Sequence, residues 1–304
     1  MKRDRHLARW AKRQGLTAFR IYDRDIPGYH FAVDRYGDWV VIHEYPWSET
    51  DGGRHEARRG ELRAALEGPL AVPAERTLWK LHARHRWGES QYEKGAAESR
   101  KIRVREGGLE FEVDLGPYLD AGLFLDHRGT RALVRDLAPG RRFLNLFAYT
   151  GSFTVYAAAG GAAQTTSVDL SATYLAWAER NLALNALGGP RNRIVRADAL
   201  AWMAEAGAAG ERFGLVILDP PSQSRSKRMD RGFEVQRDQG ALLSLARELL
   251  EPGGVLLFST NFGPFALDPA PLAGLSVVEL TPRSLPEDCK GKRPHRCWRI
   301  ERPG

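Results

Sequence analysis

The chain has 304 residues, 43% hydrophobic and 27% charged, which excludes disordered, collagen-like and disulfide-scaffold classes and leaves room for one large or two ordinary domains. No window approaches the roughly 18 apolar residues of a membrane span, and MKRDRHLARW lacks the apolar stretch of a signal peptide, so a soluble cytoplasmic protein is expected; Cys289 and Cys297 are too few for a four-ligand zinc site, and no metal is expected. The formal charge of +7 is segregated, because residues 1–105 hold 22 basic and 15 acidic side chains and the remainder holds 23 of each, so a basic, polyanion-holding module is expected ahead of a neutral one.

Helical spacing over residues 2–14 is followed by apolar stretches Ala18 to Tyr22 and Phe31 to Tyr45, the second with a turn at Arg35 to Gly37. A helix over 55–67 and a strand from Thr77 to His82 complete a small α+β module over residues 1–100. Residues 101–116 alternate around Glu106-Gly107-Gly108, so Ile102, Val104, Leu109, Phe111 and Val113 share one face of a linking β-hairpin. From Phe143 the pattern becomes strand, helix, strand, helix: FLNLF, a helix from Ser152, TTSVDL, a helix over 171–186, RIVRAD, a short helix at 199–206, FGLVILD, a helix over 233–250 and GVLLFST. Near-continuous apolar strands separated by helices predict an α/β, doubly wound parallel sheet in residues 117–304, with its ligands at the carboxyl ends of the strands.

Every chemistry-bearing motif lies at such an end. The turn Asn145-Leu146-Phe147-Ala148-Tyr149-Thr150-Gly151-Ser152 opens a helix but holds one glycine, so the GxGxxG dinucleotide fingerprint is absent and a nicotinamide dehydrogenase is disfavoured. Asp169 lies 18 residues beyond Gly151, where a carboxylate can accept from ribose hydroxyls; a helix cap is the competing role. Asp198 closes the next strand, and Asp219-Pro220-Pro221 the one after it. Two prolines stiffen that turn, which suits gripping the edge of a planar base or simply ending a buried strand rigidly.

FLNLFAYTGSFT, SVDLSATYLAWAERNLALN, RADALAWM and VILDPPSQSRSKRM resemble motifs of the class I S-adenosylmethionine-dependent methyltransferases, which have a Rossmann-like fold. YLDAGLFLDHR, LDPPSQSRSKRM, FEVQRD, the N-terminal KRDRHLARWAKRQGLTAFRIYDRDIPGYHFAVDRYGDWVVIHEYP and the tail HRCWRI are more closely similar to the guanine-N7 (RlmK) half of the bacterial bifunctional 23S ribosomal RNA methyltransferase family RlmKL. The resemblance implies methyl transfer from S-adenosylmethionine to guanine N7 of 23S ribosomal RNA, with free RNA or a large-subunit assembly intermediate as partner. In the resembled family this unit is commonly fused behind an RNA-binding module and a guanine-N2 methyltransferase; the chain begins at Met1 without either, so the partner activity is expected on a separate polypeptide or is missing, and a monomer is expected. The alternatives are another base position, guanine N2 or cytosine C5, or a non-catalytic RNA-binding assembly factor.

By the same resemblance the cofactor set is Tyr118, Phe124, Asp126, Arg128, Asn145, Phe147, Tyr149, Gly151, Ser152, Asp169 and Leu170 (ribose), Asp198 and Ala199 (adenine edge), and Asp219. Asp219, Pro220 and Pro221 form the catalytic turn. Asp126 with Arg128 reads equally as a structural ion pair. Arg225, Lys227, Arg228, Arg237, Lys290, Lys292 and Arg293 are candidate RNA contacts, or plain solvated surface. Trp79, Trp87 and Tyr92 are candidate stacking platforms or core. Cytosine-C5 chemistry needs a cysteine nucleophile, because C5 is not nucleophilic until a thiolate adds to the ring. Neither DPPSQS nor FSTNFG contains one; Cys297 reads as a buried small side chain and Cys289 as an incidental loop residue.

Overall fold

The computed structural model describes residues 2–46, 54–68, 70–82, 98–116, 118–224 and 232–304. They form two compact units: residues 1–125 with 287–289, and residues 126–286 with 290–304.

In the first unit α1 (Lys2–Arg13) precedes strands β1 (Ala18–Asp23), β2 (Phe31–Tyr36) and β3 (Trp39–Glu44), then α2 (Arg54–Glu67) and β4 (Thr77–Leu81). The sheet runs β1-β2-β3-β4, antiparallel except for the last pair. Tyr36 pairs with Trp39 across a two-residue turn in which Gly37 takes φ +59°, a left-handed value that glycine adopts without steric cost. One set of alternating side chains, including Phe19, Ile21, Phe31, Val33, Val40 and Ile42, packs with Leu7, Ala11 and Leu66 into an apolar core. Trp79 joins this core and lies edge-on to Phe31, with Arg59 and Arg63 over its ring, so it is a packing residue and not an open stacking platform. Trp87 and Tyr92 lie outside the described residues.

Alternation places polar groups on the opposite face. Arg20 donates Nε and Nη2 to Asp34 at 2.7 and 2.9 Å, and His43 stands 3.4 Å from the same carboxylate. The hairpin β5 (Lys101–Glu106) and β6 (Leu109–Asp114) pairs Ile102 with Val113 and Val104 with Phe111, as the alternation predicts. It belongs to the first unit rather than forming a separate link, since Arg105 exchanges hydrogen bonds with Thr17; the unit boundary accordingly falls at 125/126, not at 116/117. Cys289 is buried in this unit beside Arg20, not incidental in a loop.

The second unit contains α3 (Arg128–Leu137), β7 (Arg142–Leu146), α4 (Ser152–Ala159), β8 (Gln164–Asp169), α5 (Ala172–Leu184), β9 (Asn192–Arg196), α6 (Ala199–Ala208) and β10 (Phe213–Leu218). There follow the two-residue pair β11 (Gln223–Ser224) and β12 (Phe233–Glu234), α7 (Val235–Glu248), β13 (Leu250–Thr260), β14 (Ser276–Glu279), α8 (Thr281–Ser284) and β15 (Arg296–Glu301). The seven-stranded sheet runs β14-β15-β13-β10-β7-β8-β9. Both faces are covered: Leu144, Leu146, Val216, Leu218 and Phe258 pack with Trp202, Met203 and Leu242, while Phe143, Leu215, Ile217 and Leu257 pack with Val134, Phe153 and Ala157. This two-sided burial is why the strands read as continuous apolar runs.

The sheet is mixed rather than parallel throughout, because β15 runs antiparallel to both β13 and β14. A parallel return needs a crossover, usually a full helix; between β14 and β15 the only α-helix is the four-residue α8, and the chain comes back as an antiparallel neighbour.

Candidate functional site

The five parallel strands are ordered β9-β8-β7-β10-β13, so the chain winds one way from β7 and then, beginning at β10, the other. A crevice opens at such a reversal, outside the carboxyl ends of the two central strands. Register aligns Leu146, Val168, Leu218 and Phe258 in one row, so the turn after Leu146, Asp169, the Asp219-Pro220-Pro221 turn and Ser259 all emerge at the same sheet edge.

The first turn is strained and tightly determined. Phe147 and Tyr149 adopt φ +58° and +49°, a conformation costing a non-glycine residue about 1–2 kcal/mol. Bonds that hold it include Ala148 N to Val168 O at 3.0 Å, Gly151 N to Ala148 O at 2.9 Å, Tyr149 N to Asp169 Oδ2 at 2.9 Å, and Asn181 Nδ2 to Thr150 O at 2.9 Å. Gly151 ends the turn at φ +73° and caps α4; a Cβ there would lie 2.5 Å from that of Ala178, so both conformation and close packing demand glycine. Ser152 follows as the first residue of α4. Backbone strain kept in place by surrounding bonds is a feature that clusters at binding and catalytic sites.

Asp169 is half-buried and accepts from Tyr149 N and, through Oδ1, from Ser171 N at 2.8 Å. Burial raises its carboxyl above the ordinary value, while the amides of Ser171, Tyr149 and Leu170 pull the other way. Ser171, not Asp169, caps α5, which removes the competing cap role and leaves a carboxylate that staples two turns and retains lone pairs for further donors. Leu170 is half-buried, and its carbonyl accepts from Arg196 at 3.3 Å. Asp198 does cap a helix, accepting from Ala201 N at 3.0 Å, and Ala199 lies in the core. Asn145 turns inward: its amide donates to Thr154 Oγ1 at 2.9 Å, and Thr154 meets Ser167 at 2.7 Å, so it anchors the turn to α4 from beneath.

Asp219 accepts from Ser259 Oγ at 2.6 Å through Oδ1 and faces His127 Nε2 at 3.5 Å through Oδ2; Pro220 is buried and Pro221 half-buried behind it. Asp126 accepts from His295 Nδ1 at 2.8 Å, and Arg128 is buried at the start of α3. Tyr118 and Phe124 are half-buried in the first unit, where the Tyr118 carbonyl takes the Lys80 ammonium, itself lowered by burial to about 8. His127, His295 and Ser259 were not singled out from the sequence, although the LDHR and HRCWRI blocks contain both histidines; a histidine beside an arginine carries no signal until the fold brings the blocks together.

Among the basic candidates, Arg237 is bonded to Asp238 at 3.0 and 2.7 Å and to Glu234 at 3.1 Å, so its charge is spent locally. Lys290, Lys292 and Arg293 lie in the segment leading to β15, with Lys290 and Arg293 exposed. Arg225, Lys227 and Arg228 fall outside the described residues. Cys297 is fully buried in β15 opposite Ser259, and burial pushes its thiol up to about 12, which makes it inert as a nucleophile.

A family model described as S-adenosylmethionine-dependent methyltransferase matches residues 57–279. The ribosomal RNA large subunit methyltransferase K/L of Methylococcus capsulatus is 47% identical over 304 residues, covering 98% of this chain and 41% of that relative. The chain therefore spans well under half the length of the curated relative it matches. Among solved structures, SMU.776, a methyltransferase complexed with SAH, superposes with a TM-score of 0.79 at 24% identity, covering 99% of this chain and 80% of that one. A SAM-dependent methyltransferase from Streptococcus mutans gives 0.77 at 23% identity with the same coverage. These two likenesses show the shared fold.

Proposed function

This chain belongs to the S-adenosylmethionine-dependent methyltransferases, and from that premise we propose that it methylates guanine N7 in large-subunit (23S) ribosomal RNA. The observation that carries the reading is the 47% identity over nearly the whole chain to a large-subunit ribosomal RNA methyltransferase. Two features support a cofactor at this edge: a turn with Phe147 and Tyr149 in the left-handed region that opens α4 at Gly151, and the Asp169 carboxylate at the end of the neighbouring strand, 18 residues beyond Gly151, the sequence spacing at which an acidic residue can meet ribose hydroxyls. Bound S-adenosylmethionine supplies an electrophilic methyl group on a sulfonium.

Phe147, Tyr149, Gly151 and Ser152 would hold the methionine part, Asp169 and Leu170 the ribose, and Asp198 with Ala199 the adenine edge, with Asn145 supporting the turn from below. Asp219, Pro220 and Pro221 would orient the target base. Guanine N7 carries a lone pair in the ring plane, so no proton leaves before attack and the site needs positioning more than a general base. That edge is hard to reach in an RNA helix, so the nucleotide must be unpaired or flipped out. The inert Cys297 speaks against cytosine-C5 chemistry. The basic excess of residues 1–105, with Lys290, Lys292 and Arg293, supports phosphate contact.

The test is methyl transfer to protein-free 23S RNA and to assembled large subunits, with mass-spectrometric mapping of the product. 7-Methylguanosine is expected; a product at guanine N2 or cytosine C5, or RNA binding without S-adenosylmethionine binding, overturns the reading.

A further inference from the structure

We infer that His127 is a positioning residue that holds the Asp219 carboxylate in the orientation used against the target base, with Asp126, His295 and Ser284 fixing His127 from behind. The inference rests on the role given to Asp219 above. Asp219 has a neighbour at each oxygen: Ser259 donates to Oδ1 at 2.6 Å, and His127 Nε2 faces Oδ2 at 3.5 Å. The second contact is an approach of ring nitrogen to carboxylate oxygen within ion-pair distance.

His127 has little freedom to do anything else. It is 4% exposed at the entry to α3, with its ring edge-on to Phe153 of α4 at 5.7 Å and flat over His295 at 4.1 Å with 14° between the planes. His295 is itself locked, with Nδ1 on Asp126 Oδ2 at 2.8 Å and Nε2 on Ser284 Oγ at 3.0 Å. Asp126, His127 and His295 are close enough together to suggest a cation site. Two nearly parallel rings, however, run their in-plane lone pairs side by side instead of toward one centre, and both His295 nitrogens are engaged. The arrangement is a hydrogen-bonded buttress: the Asp126–His295–Ser284 chain fixes one ring, stacking fixes the second, and the second aims at Asp219.

The charged groups around His127 are Asp219 at the end of β10, Asp126 beside it, His295 before β15 and Arg131 of α3. Burial lowers the His127 pKa, with His295 and Arg131 acting in the same direction and the two aspartates opposing. Burial thus favours the neutral ring, and in the proposed role Nε2 carries the proton that is turned toward Asp219. Protonation in acid would turn that contact into an ion pair and draw the carboxylate away from the base.

The experiment is steady-state methyl transfer to protein-free 23S RNA from pH 5 to 9, with S-adenosylmethionine affinity measured in parallel. His127→Ala is expected to lower kcat roughly tenfold or more, with cofactor affinity within about threefold of wild type. His127→Gln places an amide N–H near the Nε2 position; it should recover most of kcat and lose the acid limb expected of wild type, which lies below the ordinary histidine range because burial lowers the His127 pKa. Combined with Asp219→Asn, His127→Ala should cost nothing further. An Asp219→Asn variant as active as wild type would remove the premise about Asp219. Asp219→Asn impaired while His127→Gln keeps the wild-type acid limb, or full additivity of the two substitutions, would overturn the inference itself. Should His127→Ala fail to fold, the His127→Gln profile decides alone.

Discussion

Replacing Asp169 by Ala tests the site where structure and chemistry are most tightly joined. The carboxylate accepts two backbone N–H bonds, from Tyr149 at 2.9 Å and Ser171 at 2.8 Å. Hydrogen bonds to a charged group contribute about 1.5–3 kcal/mol each. Asp169 is only half-buried, so the released N–H groups regain some water and the lower end applies, about 3 kcal/mol for the pair. Tyr149, held at φ +49°, would then relax and relieve about 1–2 kcal/mol of strain, dispersing the turn that Gly151 closes. The relieved strain offsets part of the loss, and if the net of about 1–2 kcal/mol falls on cofactor binding it corresponds to roughly five- to thirtyfold weaker affinity. Isothermal titration with S-adenosylmethionine is the assay, with thermal unfolding as a check that the sheet survives. Because burial raises the Asp169 carboxyl, wild-type affinity should fall with decreasing pH from a higher pH than an ordinary aspartate would impose, as the anion that accepts both bonds is lost. Affinity within threefold of wild type in Asp169→Ala would refute the assignment.

Other substitutions probe separate links. Gly151→Ala combines a left-handed conformation with a Cβ 2.5 Å from Ala178, and should destabilise by about 3 kcal/mol in chemical denaturation; Ala178→Gly in the same chain should return the packing part and not the conformational part. Asp34→Asn leaves Arg20 facing an amide in a buried setting and should cost about 3–5 kcal/mol. Arg20 holds the Asp34 carboxyl well below the ordinary range against the cost of burial; the stability it confers is complete above the unfolded value near 3.9 and lost as pH falls toward the native one, so acid denaturation measured by urea titration should lose that component in the variant. Cys297→Ala should keep turnover within twofold, and wild type should resist iodoacetamide at pH 8; loss of turnover in a folded variant would point to covalent chemistry.

How much of this was legible beforehand can be judged residue by residue. Strand and helix periodicity marked α1 to β6, the alternation from β7 to β10, α7 and β13, because two-sided burial imposes apolar runs on strands and covering helices impose a 3.6-residue repeat. It missed α3, the two-residue strands β11 and β12, and β14 and β15: β14 is a four-residue strand exposed throughout, and β15 buries Cys297, Trp298 and Ile300 among half-buried charged residues in a tail that reads as charge. The positions of Asp169, Asp198 and Asp219 at strand ends, and of Gly151 at a helix entry, followed from local pattern and chain order, which are properties of a linear string. Which of the three carboxylates caps a helix, which staples a turn and which lies between a serine and a histidine did not, since Ser171, Ala201, Ser259 and His127 meet them only in three dimensions. By itself the sequence determined the class of fold, the edge of the sheet at which the chemistry sits and the absence of a cysteine from the turns that would need one. The tertiary structure alone decided the hand in which each polar group is dealt, because His127 and His295 lie 168 residues apart along the chain and become a stacked pair behind Asp219 only when β15 inserts antiparallel beside β13.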